Sequence, residues 1–370
     1  NIISANIPWG KLNAVKAVEG VRDVVVECRY ETEEVEQQTY NSAGMVGATT
    51  VWQTGLTGAG TRIAIIDTGT DTDHQSFDNG AYLHALEQNA AAAGVSVDAY
   101  LDSLDLLDVD DIDAVLKNLN AYERIGNQNA GAYYLNEKLP FGANYVDYNL
   151  TIDHDTDYQG SHGSHVAGIA AANRYIQVGN SYEDARQAVG MSGVAPDAQL
   201  ITLKVFGANP GPYDSDYFAA IEDAIWLGCD SVNLSLGTGA PGYSENYLFE
   251  ELLDYMATTD TVVVMSAGNS GYWAENTAPG YLYNDGVSFQ MNGTPGSYTN
   301  PLTVASVDNG NDAADYKMSA FSSWGVPGSL ELKPEITAPG GMILSVNGMD
   351  PTGTGYEQMS GTSMAAPQVT

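Results

Sequence analysis

Thr61-Arg-Ile-Ala-Ile-Ile-Asp67 is a nearly continuous apolar run that ends in an acid and is followed by Thr68 and Gly69. Such a run is typical of a central strand in a parallel sheet whose two faces are both covered. The functional residues of open α/β sheets gather at the carboxyl ends of the strands. Asp67 is therefore expected at a functional edge of the sheet.

Other apolar runs of strand length alternate with helical patterns towards the C-terminus. Strands are predicted at Gln199–Val205, Ser231–Ser235 and Thr261–Met265, and helices at Tyr217–Leu227 and Glu250–Ala257. Alternation of this kind predicts a mostly parallel sheet joined by right-handed crossovers. The fold class is therefore α/β.

A long segment, about 78–140, separates Asp67 from the next functional motif and has helical patterns. Tyr82–Ala93 is rich in alanine, and Val97–Leu107 follows it. In Asp110–Leu119, apolar residues recur with the i, i+3, i+4, i+7 spacing of an amphipathic helix. We expect a helical insertion that acts as a lid or an exosite.

The N-terminal part differs from the rest in pattern. Residues 1–31 are predicted to form a small α+β piece, with a helix at Lys11–Val18 and a strand at Val21–Cys28. Residues 32–44 are polar and acidic, which is typical of a linker, and the main domain is expected to span 45–370. Cys28 and Cys229 are predicted to be unpaired thiols, with a disulfide between them as the open alternative.

The composition limits the classes of partner. The 370 residues include 13 Lys and Arg against 47 Asp and Glu, a formal charge of −34. A chain this acidic repels nucleic acids and anionic membranes, and attracts calcium or cationic substrates. A hydrophobic content of 44% is that of a folded globular protein, and no apolar run reaches the ~18 residues of a membrane span. The first residue is Asn1 rather than Met, so we expect that a further part precedes it.

Ser161-His-Gly-Ser-His-Val-Ala-Gly168 contains two histidines three residues apart at the start of a predicted helix. Paired histidines at helical spacing can bind a metal, but no nearby Glu completes a zinc-protease pattern here. We therefore predict that His162, at the mouth of the helix, is a general base. His165, one turn further in, is predicted to be a packing residue.

Three more stretches end strands or start helices, and each has a simpler structural alternative. Asn269 follows a strand and can donate an amide hydrogen to an oxyanion, or it can be a turn residue. Ser235-Leu-Gly-Thr238 can pair with an extended peptide, or it can be a βα turn. Met359-Ser-Gly-Thr-Ser-Met-Ala-Ala-Pro367 puts Ser363 where backbone N–H groups favour negative charge, or the serine can be a helix cap.

With these residues in this order, the sequence resembles the subtilisin-like serine peptidases. The matching motifs are Ile65–Gly69, His162–Gly168, Gly193–Asp197, Asn233–Gly237, Ser266–Asn269 and Gly361–Pro367. Two more stretches, Phe321–Gly325 and Leu332–Gly341, are similar to those of lactocepin-type cell-envelope proteinases. The resemblance implies a three-layer subtilisin-like fold and a serine endopeptidase that forms an acyl-enzyme.

The resemblance also implies a role for each site residue. Ser363 would be the nucleophile, His162 its base and Asp67 the residue that orients the imidazole. Asn269 would stabilise the oxyanion. The substrate-binding residues would be Ser235, Leu236 and Gly237 for the substrate backbone, and Ser266, Ala267 and Gly268 for the primary specificity pocket.

The implied chemistry requires no cofactor. Structural calcium is expected without an assigned position, because Ser76 stands where many family members have a calcium-binding Asp.

Residues 1–31 are similar to the C-terminal half of the family's inhibitory propeptide. The resemblance therefore implies a zymogen that is inhibited by its own propeptide and cleaved within about 31–44. It also implies protein or peptide substrates, a secreted or cell-surface location, and a peptidase domain truncated at Thr370. The alternatives are a catalytically silent binding or adhesion domain, and a Ser-Glu-Asp acid peptidase, which His162 at the base position disfavours.

Overall fold

The computed structural model describes residues 9–21, 42–155, 157–209, 214–237, 247–269, 300–310, 316–325 and 332–370. The chain divides into two compact units, Asn1–Gln38 and Thr39–Thr370. In the first unit, a 3₁₀ turn at Trp9–Lys11 leads into helix α1 at Leu12–Lys16, within the helix predicted there. The predicted strand at Val21–Cys28 lies outside the described residues from residue 22 onwards.

The second unit is built on a seven-stranded sheet. The strands among the described residues are β1 Arg62–Asp67, β2 Phe141–Asn144, β3 Tyr175–Val178, β4 Ser181–Asp184, β5 Gln199–Lys204, β6 Ser231–Leu234, β7 Val262–Ser266, β8 Leu302–Asp308, β9 Ile336–Gly341, β10 Ile343–Val346 and β11 Tyr356–Met359. The sheet order is β2-β5-β1-β6-β7-β8-β9, and its neighbours pair in parallel. β3 with β4, and β10 with β11, form two small antiparallel pairs. The predicted parallel α/β sheet is confirmed.

Helices cover both faces of this sheet. The helices described in the second unit are α2 Ser42–Met45, α3 Ala48–Trp52, α4 Asn79–Ala93, α5 Val97–Leu101, α6 Val109–Val115, α7 Asn120–Arg124, α8 Ala130–Tyr133, α9 His162–Ala171, α10 Ala185–Ala188, α11 Asp214–Trp226, α12 Tyr247–Met256 and α13 Thr362–Ala365. Alternate residues of β1 enter two different cores. Ile66 packs in the cluster that contains Ile221 of α11, whereas Ile65 packs in the cluster that contains Val166 of α9. The result is the predicted three-layer arrangement.

The insertion after β1 contributes to one of these layers. Ile112 of α6 and Tyr133 of α8 are fully buried in the cluster that contains Ile66. The carboxylate of Asp223 on α11 accepts the backbone N–H of Asn120 at 2.6 Å and that of Ala121 at 2.8 Å. Residues of α6 to α8 are thus fixed to the sheet and to α11. The apolar stripe of α6 covers the sheet, and the expected role of the insertion as a lid or an exosite stays a prediction.

The predicted linker 32–44 ends earlier than expected. Helix α2 begins at Ser42, and Met45 at its end is buried. The Met45 carbonyl accepts the hydroxyl of Tyr316 at 2.6 Å. Residues 42–44 therefore belong to a helix that is anchored to the second unit.

None of the described helices is long and apolar enough to cross a bilayer. Cys229 is a buried, unpaired thiol, as predicted, and burial raises the pKa of this thiol to about 12. Cys28 lies outside the described residues.

Candidate active site

Asp67, the last residue of β1, and His162, the first residue of α9, meet at the carboxyl edge of the sheet. His162 Nδ1 lies 2.8 Å from Asp67 Oδ1. The Asp67 side chain is 1% exposed and the His162 side chain is 31% exposed. The imidazole is therefore held at Nδ1 by a buried carboxylate, while nearly a third of its side chain remains accessible.

Thr68 and Gly163 explain why the helix comes so close to the end of the strand. The backbone N–H of Thr68 donates to Asp67 Oδ1 at 2.7 Å, and the backbone N–H of Gly163 donates to Thr68 Oγ1 at 2.8 Å. A Cβ added at Gly163 would lie 2.2 Å from the carbonyl oxygen of Gly69. Only glycine permits this approach, which brings His162 to Asp67.

The environment of His162 keeps its imidazole basic. Burial lowers the pKa of His162, but the negative charge and the hydrogen bond of Asp67 raise it, so the pKa lies above the ordinary 6.5. An imidazole with this partner accepts a proton readily and stabilises it once bound.

Ser363 is the second residue of α13, which the chain enters through Gly361. Its hydroxyl donates to the carbonyl of Ser235 at 3.3 Å. In return, Ser235 Oγ donates to the carbonyl of Ser363 at 2.9 Å. Asp67 and His162 are therefore in contact with each other, whereas the Ser363 hydroxyl bonds Ser235, the residue after β6, and not the imidazole.

Asn269 contacts the Ser363 turn through Thr362. Asn269 Oδ1 accepts the backbone N–H of Thr362 at 2.9 Å and its hydroxyl at 3.0 Å. Asn269 Nδ2 lies 3.4 Å from the point where a Cβ would sit on Gly361. Because Thr362 occupies the amide oxygen, the donor Nδ2 is presented beside the turn that carries Ser363.

The predicted substrate-binding segments lie at the carboxyl ends of β6 and β7. Along Ser235–Gly237, the residues change from a buried serine to an exposed glycine. In Ser266–Gly268 the first two residues are buried, and Gly268 has a φ of 100°. β6 pairs in parallel with both β1 and β7, so both segments leave the sheet at the edge where Asp67 lies.

His165 is the packing residue that the sequence predicts. It is fully buried, and its Nε2 lies 3.1 Å from the carbonyl of Ile343 and 3.2 Å from that of Glu357. Burial lowers the pKa of His165 to about 4. The imidazole is therefore neutral at ordinary pH, and its N–H is used to join α9 to β10 and β11.

The expected structural calcium has no assigned position among the described residues. Ser76 Oγ is hydrogen-bonded to the hydroxyl of Tyr356 at 2.8 Å. Within the part of the chain that the structure describes, no group of three or more His, Cys, Asp or Glu side chains is arranged to hold a metal ion.

Sequence reasoning missed a buried lysine behind the site. Lys204 lies opposite Asp67 in the register of β5 and β1 and forms an ion pair with Asp157 at 2.7 Å, both side chains being fully buried. Its ammonium group also donates to the carbonyls of Thr68 and Asp153. The available signal was a lysine within an otherwise apolar strand, Gln199–Val205.

Thr362 and the Ser235 hydroxyl were also missed. Thr362 bonds the side chain of Asn269, and the Ser235 hydroxyl bonds the main chain of Ser363. The available signal for the Ser235 hydroxyl was Pro367, four residues after Ser363. Proline has no backbone N–H, so it cannot bond the Ser363 carbonyl, which then needs another donor.

The sequence is similar to those of several known proteins. The chain is 30% identical over 335 residues to a PI-type proteinase of Lactococcus lactis subsp. cremoris, which covers 86% of this chain and 15% of that protein. It is 31% identical over 253 residues to subtilisin DY of Bacillus licheniformis, covering 68% of this chain and 75% of that protein. It is also 33% identical over 224 residues to thermitase of Thermoactinomyces vulgaris, covering 59% of this chain and 62% of thermitase.

The match therefore spans only a small part, 15%, of the lactococcal relative. The family model described as the subtilase family matches residues 58–370, which include Asp67, His162, Asn269 and Ser363. The chain belongs to the subtilase family, a family of subtilisin-like serine peptidases.

Proposed function

We propose that this chain is a serine endopeptidase domain that hydrolyses peptide bonds of proteins through Asp67, His162 and Ser363. The observation that carries the proposal is the 2.8 Å contact between His162 Nδ1 and the buried Asp67 carboxylate. A carboxylate in this position holds the imidazole in the tautomer whose Nε2 can accept a proton, and it stabilises the imidazolium that forms.

In the proposed reaction, Ser363 Oγ attacks the peptide carbonyl while His162 takes the hydroxyl proton. A C–O bond forms, and the carbonyl electrons move to oxygen. When the C–N bond breaks, His162 gives its proton to the departing amine and an acyl-enzyme remains. Water then attacks the ester with His162 again as the base, and this step releases the acid and restores Ser363.

The oxyanion of each tetrahedral intermediate would be bound by Asn269 Nδ2 and the backbone N–H of Ser363. Thr362 supports this role because it engages Asn269 Oδ1 twice, at 2.9 and 3.0 Å. An amide fixed in this way needs little reorganisation when charge develops on the substrate oxygen.

The substrate would be bound as an extended strand. Ser235–Gly237 follows β6 at the carboxyl edge of the sheet and becomes exposed along its length, so its backbone suits pairing with a peptide. We assign Ser266–Gly268 to the primary specificity pocket on the family resemblance.

The same proposal includes maturation and location. On the resemblance of residues 1–31 to an inhibitory propeptide, the protein would be made as a zymogen and cleaved within about 31–44. It would act outside the cell or at its surface. N-terminal sequencing of the mature protein tests this, since a mature chain that begins before Tyr30 contradicts it.

Hydrolysis of casein by the full chain tests the activity. We expect release of peptides by the unmodified protein and a loss of about 10⁶-fold in Ser363→Ala, the size found when the nucleophile of a subtilisin is removed. Ser360→Ala is the matched control, because its exposed hydroxyl accepts the backbone N–H of Met342 and lies three residues away. Intact casein with folded, processed protein would favour a silent binding domain. A rate optimum near pH 4 would favour the acid peptidase, because an imidazole base is protonated there.

A further inference from the structure

We propose that the side chain of Ser235 positions the nucleophile, an inference that rests on the proposed function of Ser363. Ser235 follows the last residue of β6 and is 5% exposed. Its hydroxyl donates to the main-chain carbonyl of Ser363 at 2.9 Å. Ser235 would thus have two roles. Its backbone is suited to pairing with a substrate, and its side chain holds Ser363, the residue that attacks.

Pro367 is the reason that the Ser363 carbonyl needs a partner from outside its helix. In α13, the backbone N–H of Ala366 donates to the carbonyl of Thr362, four residues earlier. The next bond of that series would join residue 367 to Ser363, but proline has no N–H to donate. A main-chain acceptor shielded from water and left without a partner costs stability, and Ser235 supplies to this partly buried carbonyl the donor that Pro367 lacks.

Asn233 fixes the direction in which the Ser235 hydroxyl donates. Asn233 is fully buried, and its Nδ2 donates to Ser235 Oγ at 2.9 Å. Asn233 Oδ1 lies 3.1 Å from the hydroxyl of Thr370, which lies equally close to the carbonyl of Ala366. A hydroxyl has one proton, and with Asn233 as its donor Ser235 directs that proton to Ser363.

The contact between the two serines is reciprocal. Ser363 Oγ donates to the Ser235 carbonyl at 3.3 Å, while Ser235 Oγ donates to the Ser363 carbonyl. The carbonyl and the hydroxyl of Ser363 are therefore both hydrogen-bonded to Ser235, the first residue of the proposed substrate-binding segment Ser235–Gly237. Loss of the Ser235 hydroxyl would free the first turn of α13 to move, and a displacement of about 1 Å at a reacting group can cost about 10²-fold in rate.

Replacement of Ser235 by alanine tests the inference. We expect kcat to fall about 10- to 100-fold in Ser235→Ala. The pH midpoint of kcat/KM should stay unchanged, because the variant leaves the Asp67–His162 pair intact. Thr261→Val is the matched control, since the Thr261 hydroxyl also donates to a main-chain carbonyl, that of Cys229 at 2.8 Å, and lies at the opposite edge of the sheet, before β7. The control should keep the unmodified kcat. A folded Ser235→Ala protein with unmodified kcat would overturn the inference.

A second variant separates positioning from general damage. Pro367→Ala restores a backbone N–H four residues after Ser363, so we expect the double variant Ser235→Ala/Pro367→Ala to recover most of the lost kcat. A double variant that is folded and remains as slow as Ser235→Ala would overturn the inference. If Ser235→Ala does not fold, Ser235→Cys takes its place, because its thiol is similar in size and a weaker donor, with the same two expected results.

The two proposals fail in different ways. If the unmodified protein hydrolyses no peptide, the proposed function fails and the inference fails with it. If the unmodified protein is active and Ser235→Ala is equally active, only the inference fails.

Discussion

The two histidines of α9 lie one turn apart on the same helix and have opposite environments. His162 is partly exposed and has a carboxylate on Nδ1, so its pKa lies above the ordinary value. His165 is fully buried, and this burial lowers its pKa to about 4, although the two main-chain carbonyls at Nε2 oppose the fall. One environment maintains a base that can be protonated and the other maintains a neutral donor. The difference teaches that the charge of the partner, more than the residue type or the helix, assigns the role.

Removal of each imidazole is the strongest way to break this comparison. We expect His162→Ala to lower kcat by about 10⁶-fold, as found when the base of a subtilisin is removed. His165→Ala is the paired variant, and its kcat per folded molecule should stay near the unmodified value. Rates measured on the same peptide, with the folded fraction taken from circular dichroism, decide between the two. Similar rate losses in both variants would mean that the roles are not divided as described.

Asp67→Asn tests whether the partner charge is what distinguishes His162. The amide keeps the size of the side chain but can hold the imidazole in the wrong tautomer, and the corresponding change in a related triad costs about 10⁴-fold in kcat. The exposed Asp73 provides the control Asp73→Asn, which should keep the unmodified rate. An Asp67→Asn enzyme within tenfold of the unmodified rate would contradict the proposed role.

The loss of stability at acid pH should reveal the protonation of His165. The unfolded chain binds a proton at this residue below about pH 6.5, whereas the folded chain does not until about pH 4. The stability that depends on neutral His165 is therefore complete above pH 6.5 and is lost as the pH falls towards 4, roughly 3 kcal/mol in all. Urea unfolding at a series of pH values measures it.

His165→Gln is the control for that window, because it keeps an N–H donor and cannot titrate. Its stability should fall less between pH 6.5 and 4. Some loss of stability should remain in the variant, because His154 also titrates in this range. Burial and the charge of Lys204 lower the pKa of His154 to about 4. An equal fall in unmodified protein and variant would contradict the assignment to His165.

The acid limb of activity should report His162, and this is the smallest effect that we expect. Because His162 acts as a base only when neutral, kcat/KM should fall as the pH drops through its raised pKa, with a midpoint above 6.5. In Asp67→Asn the midpoint should move down, since burial then acts without the carboxylate charge. A midpoint that does not move in Asp67→Asn would show that another group limits the rate.

The sequence predicted candidate site residues but not their surroundings. Asp67, His162, Asn269 and Ser363 each stand at a strand end or a helix start, and such boundaries are marked locally by apolar runs and small residues. The acceptors of His165 lie 178 and 192 residues further along the chain. No local pattern predicts contacts of that range, so the sequence predicted a packing role without its partners.

The insertion shows the same limit. Its amphipathic spacing predicted a helix at Asp110–Leu119. The helix found there, α6, begins one residue earlier, at Val109, and ends at Val115. The spacing does not say which surface the apolar stripe covers. The cluster in which Ile112 is buried combines residues of the sheet and of α11, which no local pattern identifies.

The most direct measurement is the site of reaction with a fluorophosphonate that labels activated serines. We expect one adduct on Ser363 of the full chain, found by mass spectrometry of its peptides, and no adduct in His162→Ala over the same time. Labelling should abolish casein hydrolysis in proportion to its extent. An adduct at another residue, or hydrolysis that continues without labelling of Ser363, would contradict the central claim that Asp67 and His162 activate this serine.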